Sequence, residues 1–222
     1  MAAHPPGFVE YQEAFAPQGR YGKWLRSKPV VLRIDDTVFL HAGINPERAP
    51  RELEEINKQA RAEIRQFDEL RRRMVDGRLI LPFATLSEII LAAQVELQVQ
   101  ATSRQDQLPD DPMRLSGLVQ IDDWSITHPD GPLWFRGFAT WSADVGATHI
   151  KALLNRYNAA RFVVGHTIPD TKRITPRYSG AVFLVDTGMS SSYVPDGIAS
   201  ALEIRGGRFT AIYGSERVPL LD

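Results

Sequence analysis

Two apolar segments that end in a histidine beside a glycine constrain the fold of this chain more than any other feature of its sequence. TVFLHAGINPE, residues 37–47, runs from strand-forming residues into His41 and Gly43, and RFVVGHTIPD, residues 161–170, runs into Gly165 and His166. In an α/β sheet, side chains at the carboxyl ends of strands gather in one crevice, where ligands bind. The two histidines lie far apart along the chain, so only a folded sheet can bring them together.

The surrounding pattern predicts an α/β fold with mixed β-sheets flanked by helices. An apolar strand that follows a helix is typical of βαβ units, whereas paired Gly or Asp residues between strands favour hairpins. The first forty residues are predicted as a loop and a short helix, and 102–117, TSRQDQLPDDPMRLSG, as a polar loop. The predicted helices are Pro50 to about Val75, Leu86 to about Val99 and Val145 to Tyr157; the predicted strands are RFVV, AVFLVD and the hairpins VVLRI-DD-TVFLH and IASALEIR-GG-RFTAIYG.

Composition narrows the classes of function. The 26 basic and 27 acidic residues nearly cancel, which argues against a nucleic-acid partner. No apolar run is long enough to cross a bilayer, and the first residues lack the pattern of a secretory signal, so we expect no membrane association. The absence of cysteine excludes disulfides and thiolate metal sites and fits a cytoplasmic location. Any bound metal must be held by nitrogen and oxygen.

Four blocks carry a family resemblance: VFLHAGINPE, GPLWFRGFA, RFVVGHTIPD and VFLVDTGMS. In order and approximate spacing they resemble the calcineurin-like metallophosphoesterases, in particular the bacterial branch similar to protein serine/threonine phosphatases. The resemblance runs from about Gly7 to Gly214. It implies one metallophosphoesterase-like domain over residues 1–222, with an incomplete αββα sandwich and a helical insertion around 50–110.

The resemblance also implies a metal-dependent phosphatase. Such enzymes hydrolyse phosphate monoesters, of a small molecule or a phosphoprotein, with two divalent ions that can be Mn, Fe or Zn. His41 and His166 match two ligands of the second ion in position, and Arg136 is a candidate phosphate contact because a guanidinium can hold two phosphate oxygens. The alternative for Arg136 is a surface or capping arginine beside Trp134 and Phe135.

Motifs that family members carry ahead of these blocks are missing: there is no Asp-x-His, no Gly-Asp and no Asn-His in the sequence. By analogy they supply the first-metal ligands, the bridging carboxylate and the catalytic histidine. We therefore expect a C-terminal portion of a phosphatase that binds metal weakly, is inactive alone, and either pairs with itself or depends on a missing N-terminal segment. The alternatives are a non-catalytic phosphatase-like binding module and a metal-free fragment whose histidines are packed polar residues.

Other titratable residues receive structural roles. His128 precedes a proline in a turn and His149 lies on a helix, so both are expected to be incidental to any site. Asp186 ends an apolar strand in the same way as the two histidines, and a turn or cap contact is the expected role.

Overall fold

The computed structural model describes residues 5–102 and 112–221, which fall into two compact units. The helical unit comprises Met1–Pro29 and Gln59–Trp124, and the sheet unit comprises Val30–Lys58 and Ser125–Asp222. That the whole chain forms one domain with a helical insertion around residues 50–110 stays a prediction.

In the described part of the sheet unit, eight strands form two sheets. A mixed five-stranded sheet has the order β1-β2-β3-β5-β4, in which β2, β3 and β5 are parallel and the edge strands β1 and β4 are antiparallel to their neighbours. The second sheet is an antiparallel meander in the order β6-β7-β8. The strands are β1 Val31–Ile34, β2 Thr37–Leu40, β3 Arg161–Val164, β4 Thr175–Arg177, β5 Val182–Leu184, β6 Ala201–Arg205, β7 Arg208–Tyr213 and β8 Glu216–Leu221.

The three parallel strands are apolar on both faces because both faces are covered. On one face Val38, Phe162 and Val182 pack with Ile150 and Leu153 of a helix, α7. On the other face Val163 and Phe183 meet Phe209 of the second sheet, and the Phe183 and Phe209 rings stack with centroids 4.5 Å apart. The predicted α/β class, with mixed β-sheets flanked by helices, is confirmed, and the second sheet is antiparallel rather than mixed.

Both predicted hairpin turns form. Asp35, between β1 and β2, has φ 52, and Gly206 and Gly207, between β6 and β7, have φ 57 and 82. Two-residue hairpin loops need left-handed backbone of this kind, which glycine and aspartate adopt more readily than most residues.

Seven α-helices lie in the described residues, and none of them is both long and apolar enough to cross a membrane. In the helical unit, Leu70 and Met74 pack with Ile89, Ala93 and Leu118. The helices are α1 Phe8–Phe15, α2 Arg20–Arg26, α3 Leu53–Asp76, α4 Leu86–Thr102, α5 Pro112–Val119, α6 Gly137–Thr140 and α7 Ala143–Tyr157.

Helix α5 corrects the predicted polar loop over residues 102–117. The sequence places Pro112 in a loop, but it is the first residue of the helix, where the missing N–H of proline has no helical partner to lose. The buried Leu118 then ties α5 to the core of the helical unit. Residues 103–111 of that predicted loop lie outside the described residues. The first forty residues also differ from the prediction, since they contain two short helices rather than one.

At the start of β1, the outer edge of the strand is paired by one side chain, Asn57 of α3. Asn57 is 4% exposed, and its Oδ1 accepts hydrogen bonds from the N–H groups of Val30 (2.8 Å) and Val31 (3.0 Å). Its Nδ2 donates to the carbonyl of Val31 at 2.9 Å and to Glu54 at 2.9 Å. The amide thus supplies the donor and acceptor that a neighbouring strand would otherwise provide, and it fixes the start of α3 against the sheet.

Candidate functional site

Parallel pairing of β2 and β3 brings His41 and His166 together. The strands are in register from Thr37 opposite Arg161 to Leu40 opposite Val164, so the residues that follow them leave the sheet at the same edge. The Gly165 N–H donates to the His41 carbonyl at 2.8 Å. The two histidines, 125 positions apart in sequence, have His41 Nε2 and His166 Nδ1 3.1 Å apart, and their ring centroids are 4.9 Å apart.

The backbone of His166 is in the left-handed region, with φ 64. A non-glycine residue there is uncommon and costs about 1–2 kcal/mol relative to the right-handed region. Backbone of this kind tends to be retained where it directs a side chain to a functional position. The imidazole of this residue contacts that of His41.

The surroundings of His166 favour its neutral form. Burial of the ring, with the nearby charges of Arg136 and then His41, lowers the His166 pKa, while the Trp134 backbone and Asp186 act in the opposite direction. The Trp134 backbone lies near enough to favour the protonated ring, but no group reaches hydrogen-bond geometry with the buried Nε2 atom. A 3.1 Å contact between two imidazole nitrogens also requires at least one of them to lack a proton. A neutral imidazole is the form that binds metal.

We predict that His166 titrates below pH 6.5, the ordinary histidine value, in the metal-free protein. The unfolded chain binds more protons than the folded chain between the lowered pKa and 6.5, so this residue makes the protein more stable as the pH rises through that window and less stable as it falls. A heteronuclear NMR titration of the imidazole resonances measures the midpoint. A midpoint above 6.5 would contradict the assignment.

Arg136 reaches the same place from a different segment. It is the residue before α6, and its Nη1 donates to the His166 carbonyl at 3.2 Å and to Thr167 Oγ1 at 3.0 Å. The contact makes Thr167 a hydrogen-bond partner that orients the Arg136 side chain. The guanidinium, exposed to solvent and with further N–H donors, lies beside the histidine pair. Its role as a phosphate contact stays a prediction.

The aromatic residues around Arg136 divide between the site and the core. The Trp134 ring meets His166 edge-on, with centroids 5.5 Å apart, and its indole N–H donates to the Ile126 carbonyl at 3.0 Å. Phe135 instead packs against Phe138 and the main core of the sheet unit. Residue 137 must be glycine, because a Cβ at this position would lie 2.5 Å from the Phe135 ring.

Two residues of the β4 segment, which the sequence did not single out, hold α6 in place. Arg177 donates to the carbonyls of Phe138 (3.0 Å), Ala139 and Trp141 (2.6 Å), and the Tyr178 hydroxyl donates to Phe138 at 3.1 Å. These groups satisfy carbonyls that the end of a short helix leaves without partners. No local pattern links position 177 to α6, so only the three-dimensional structure reveals this contact.

The histidine pair fits one metal ion as part of its ligand set. At a metal–nitrogen distance of about 2.1 Å, two ligands separated by about 90 to 109° stand about 3.0 to 3.4 Å apart. The 3.1 Å between His41 Nε2 and His166 Nδ1 matches this spacing. Across residues 5–102 and 112–221, however, no group of three or more His, Cys, Asp or Glu side chains is placed to hold a metal. Two neutral rings alone do not fit a two-metal cluster, which needs carboxylates to offset its charge.

The remaining titratable candidates make structural contacts. Asp186 Oδ1 accepts the Gly188 N–H at 3.0 Å, the turn contact predicted for it. His128 Nδ1 lies 2.9 Å from the Asp130 backbone nitrogen, and its Nε2 lies 3.2 Å from Arg48. The His149 ring packs against Trp141, with centroids 4.8 Å apart.

Solved structures of tyrosine phosphatases share the fold of this chain. No family model matches the chain. A structure described as a cold-active protein tyrosine phosphatase superposes with a TM-score of 0.55 and 21% identity, over 93% of this chain and 46% of that one. The cold-active protein-tyrosine phosphatase of a Shewanella species gives a TM-score of 0.55 and 20% identity, over 93% and 47%. An uncharacterized protein of Schizosaccharomyces pombe is 36% identical over 72 residues, 32% of this chain and 20% of that protein.

The chain therefore spans about half the length of the solved structures that it matches and a fifth of the yeast protein. At these identities the likeness establishes the fold. The narrower calcineurin-like family and its metal chemistry are not shown by it.

Proposed function

We propose that this chain carries the second-metal half of a metal-dependent phosphomonoesterase site, as in the calcineurin-like metallophosphoesterases. In this proposal His41 and His166 bind one divalent ion, Mn, Fe or Zn, and Arg136 binds the phosphate group. The substrate is a phosphate monoester, either a small molecule or a phosphoprotein. The observation that carries the proposal is the 3.1 Å separation of two histidine nitrogens at neighbouring strand ends, with Arg136 bonded to the same loop.

The chain's own residues supply binding and orientation. Parallel strands fix the two imidazoles, and the lowered pKa of His166 keeps a nitrogen lone pair available near neutral pH. The Arg136 fork, held by Thr167, offers donors to phosphate oxygens and offsets the negative charge of the ester. A bound divalent ion would add Lewis-acid polarisation of the phosphate, which is the chemistry that metal phosphatases depend on.

A second candidate is a phosphatase-like module that binds phosphorylated partners without hydrolysing them. It is favoured by the lack, among the residues that the structure describes, of a third ligand group beside the histidine pair. Both candidates bind phosphate, but only the phosphomonoesterase hydrolyses the ester.

Phosphate binding in the presence of metal tests the shared step. Inorganic phosphate is expected to bind this chain in excess Mn²⁺ and not in excess chelator, as measured by calorimetry. Arg136→Gln is expected to weaken phosphate binding about tenfold with metal binding unchanged, because a charge-assisted pair contributes about 1.5–3 kcal/mol. Arg205→Gln, at an exposed position beside the β6–β7 turn, is the matched control. Binding that persists in Arg136→Gln would contradict the role of Arg136.

Turnover separates the two candidates. We expect this chain alone not to hydrolyse p-nitrophenyl phosphate, and hydrolysis to appear when a polypeptide carrying the Asp-x-His, Gly-Asp and Asn-His motifs is supplied. Phosphate binding without turnover under both conditions would favour the binding module. Hydrolysis by this chain alone would contradict the prediction that it is inactive alone, and it would leave the phosphomonoesterase proposal in place.

A further inference from the structure

A cavity of about 480 Å³ opens beside Arg136 in the sheet unit. Its size falls in the range of sites for small organic ligands, about 300–1,000 Å³. Its walls come from the turn around Pro129 and from the Trp134–Trp141 segment, so the apolar surface is largely aromatic. Asp130 and Thr140 add polar groups at its margin.

The aromatic walls are held rigidly. Trp134 is 48% exposed, yet its indole N–H is fixed to the Ile126 carbonyl. Trp141 packs against Phe135, with ring centroids 5.4 Å apart, and its carbonyl is held by Arg177. A half-exposed tryptophan that is locked in orientation offers a flat apolar surface at low entropic cost on binding.

Two of the wall residues also touch the histidine pair. Trp134 lies edge-on to His166, and Arg136 donates to the His166 carbonyl. A phosphate held at Arg136 would therefore stand at the mouth of the cavity, and whatever is esterified to it would face the aromatic wall.

The charges at the cavity offset one another. Asp130 lines it with its carboxylate 3.9 Å from Arg48 Nε, and Arg136 lines it as well. Apart from the phosphate at Arg136, the ligand part that suits the aromatic wall is an uncharged planar group. A flexible aliphatic group would gain less from contact with fixed rings.

We infer, building on the proposed function, that this cavity holds the aromatic ring of an aryl phosphate monoester whose phosphate is bound by Arg136. The ring lies against Trp134, and the ester oxygen joins it to the phosphate at Arg136. The site thus binds aryl phosphates more tightly than alkyl phosphates, because the uncharged ring of an aryl phosphate contacts the aromatic wall.

Three ligands test this selection in excess Mn²⁺: inorganic phosphate, ethyl phosphate and phenyl phosphate, each measured by calorimetry. Phenyl phosphate is expected to bind about tenfold more tightly than ethyl phosphate. Thr140→Phe, which puts a ring into the cavity from an exposed position, is expected to abolish that difference while inorganic phosphate still binds. Thr140→Ser, which keeps the hydroxyl that donates to the Arg136 carbonyl at 3.1 Å, is expected to preserve it.

The outcomes separate this inference from the proposed function. Equal affinity for phenyl and ethyl phosphate, with inorganic phosphate bound, overturns the aryl site and leaves the proposed function in place. An aryl preference that survives in a folded Thr140→Phe variant, checked by circular dichroism, also overturns it, since the ring would then bind elsewhere. If none of the three ligands binds, the proposed function fails and the aryl site with it.

Discussion

Alanine at either His41 or His166 is expected to weaken Zn²⁺ binding by about tenfold to a hundredfold. Each substitution removes one of two nitrogens that stand 3.1 Å apart, and a single imidazole cannot chelate. Losses of this size are typical even when only a supporting partner of a metal ligand is removed. Competition against a chromophoric chelator measures the affinity, and zinc is the suitable probe because imidazole is among its preferred ligands.

The controls separate the pair from incidental surface binding. His149→Ala removes an imidazole that packs against Trp141, and it is expected to leave Zn²⁺ affinity unchanged. His166→Gly complements His166→Ala, because glycine adopts φ 64 without strain whereas alanine does not. If His41→Ala, His166→Gly and His149→Ala all bind zinc like the unaltered protein, the two strand-end histidines are not its ligands.

Leucine at Asn57 is expected to lower the free energy of unfolding by about 3 kcal/mol. The change removes the partners of the Val30 N–H, the Val31 N–H and the Val31 carbonyl at the edge of β1. A buried backbone group left without a partner costs about 1–3 kcal/mol, and the apolar side chain recovers part of the total. Urea unfolding followed by circular dichroism gives the value.

Lys58→Leu is the matched control, since residue 58 is exposed and adjacent in α3. A surface change of this kind is expected to alter stability by less than about 0.5 kcal/mol. Similar stabilities of the two variants would show that the Asn57 amide does not secure the sheet edge.

The parts of the fold that follow from local patterns were predictable. Continuous apolar runs such as RFVV become central strands because both faces of the sheet are covered, and the Asp35–Asp36 and Gly206–Gly207 pairs become hairpin turns. His41 and His166 stood out because each leaves an apolar strand beside small residues. The parallel register of β2 and β3 then makes them neighbours.

Features that depend on contacts distant in sequence were not predictable. Nothing around Asn57 indicates that its amide pairs with β1, and nothing around Arg177 indicates that it caps α6. Strand β8 was missed because it contains Pro219, which is tolerated at the edge of a sheet. The φ of His166 also escapes sequence patterns, since most histidines lie outside the left-handed region and no local motif marks the exceptions.

A crystal of the zinc-loaded chain, with an anomalous difference map recorded at the zinc edge, tests most directly whether the histidine pair holds a metal ion. We predict a peak about 2.0–2.1 Å from both His41 Nε2 and His166 Nδ1. A map in which zinc binds elsewhere, or binds only one of the two rings, would contradict the account and leave the histidines as packed polar residues.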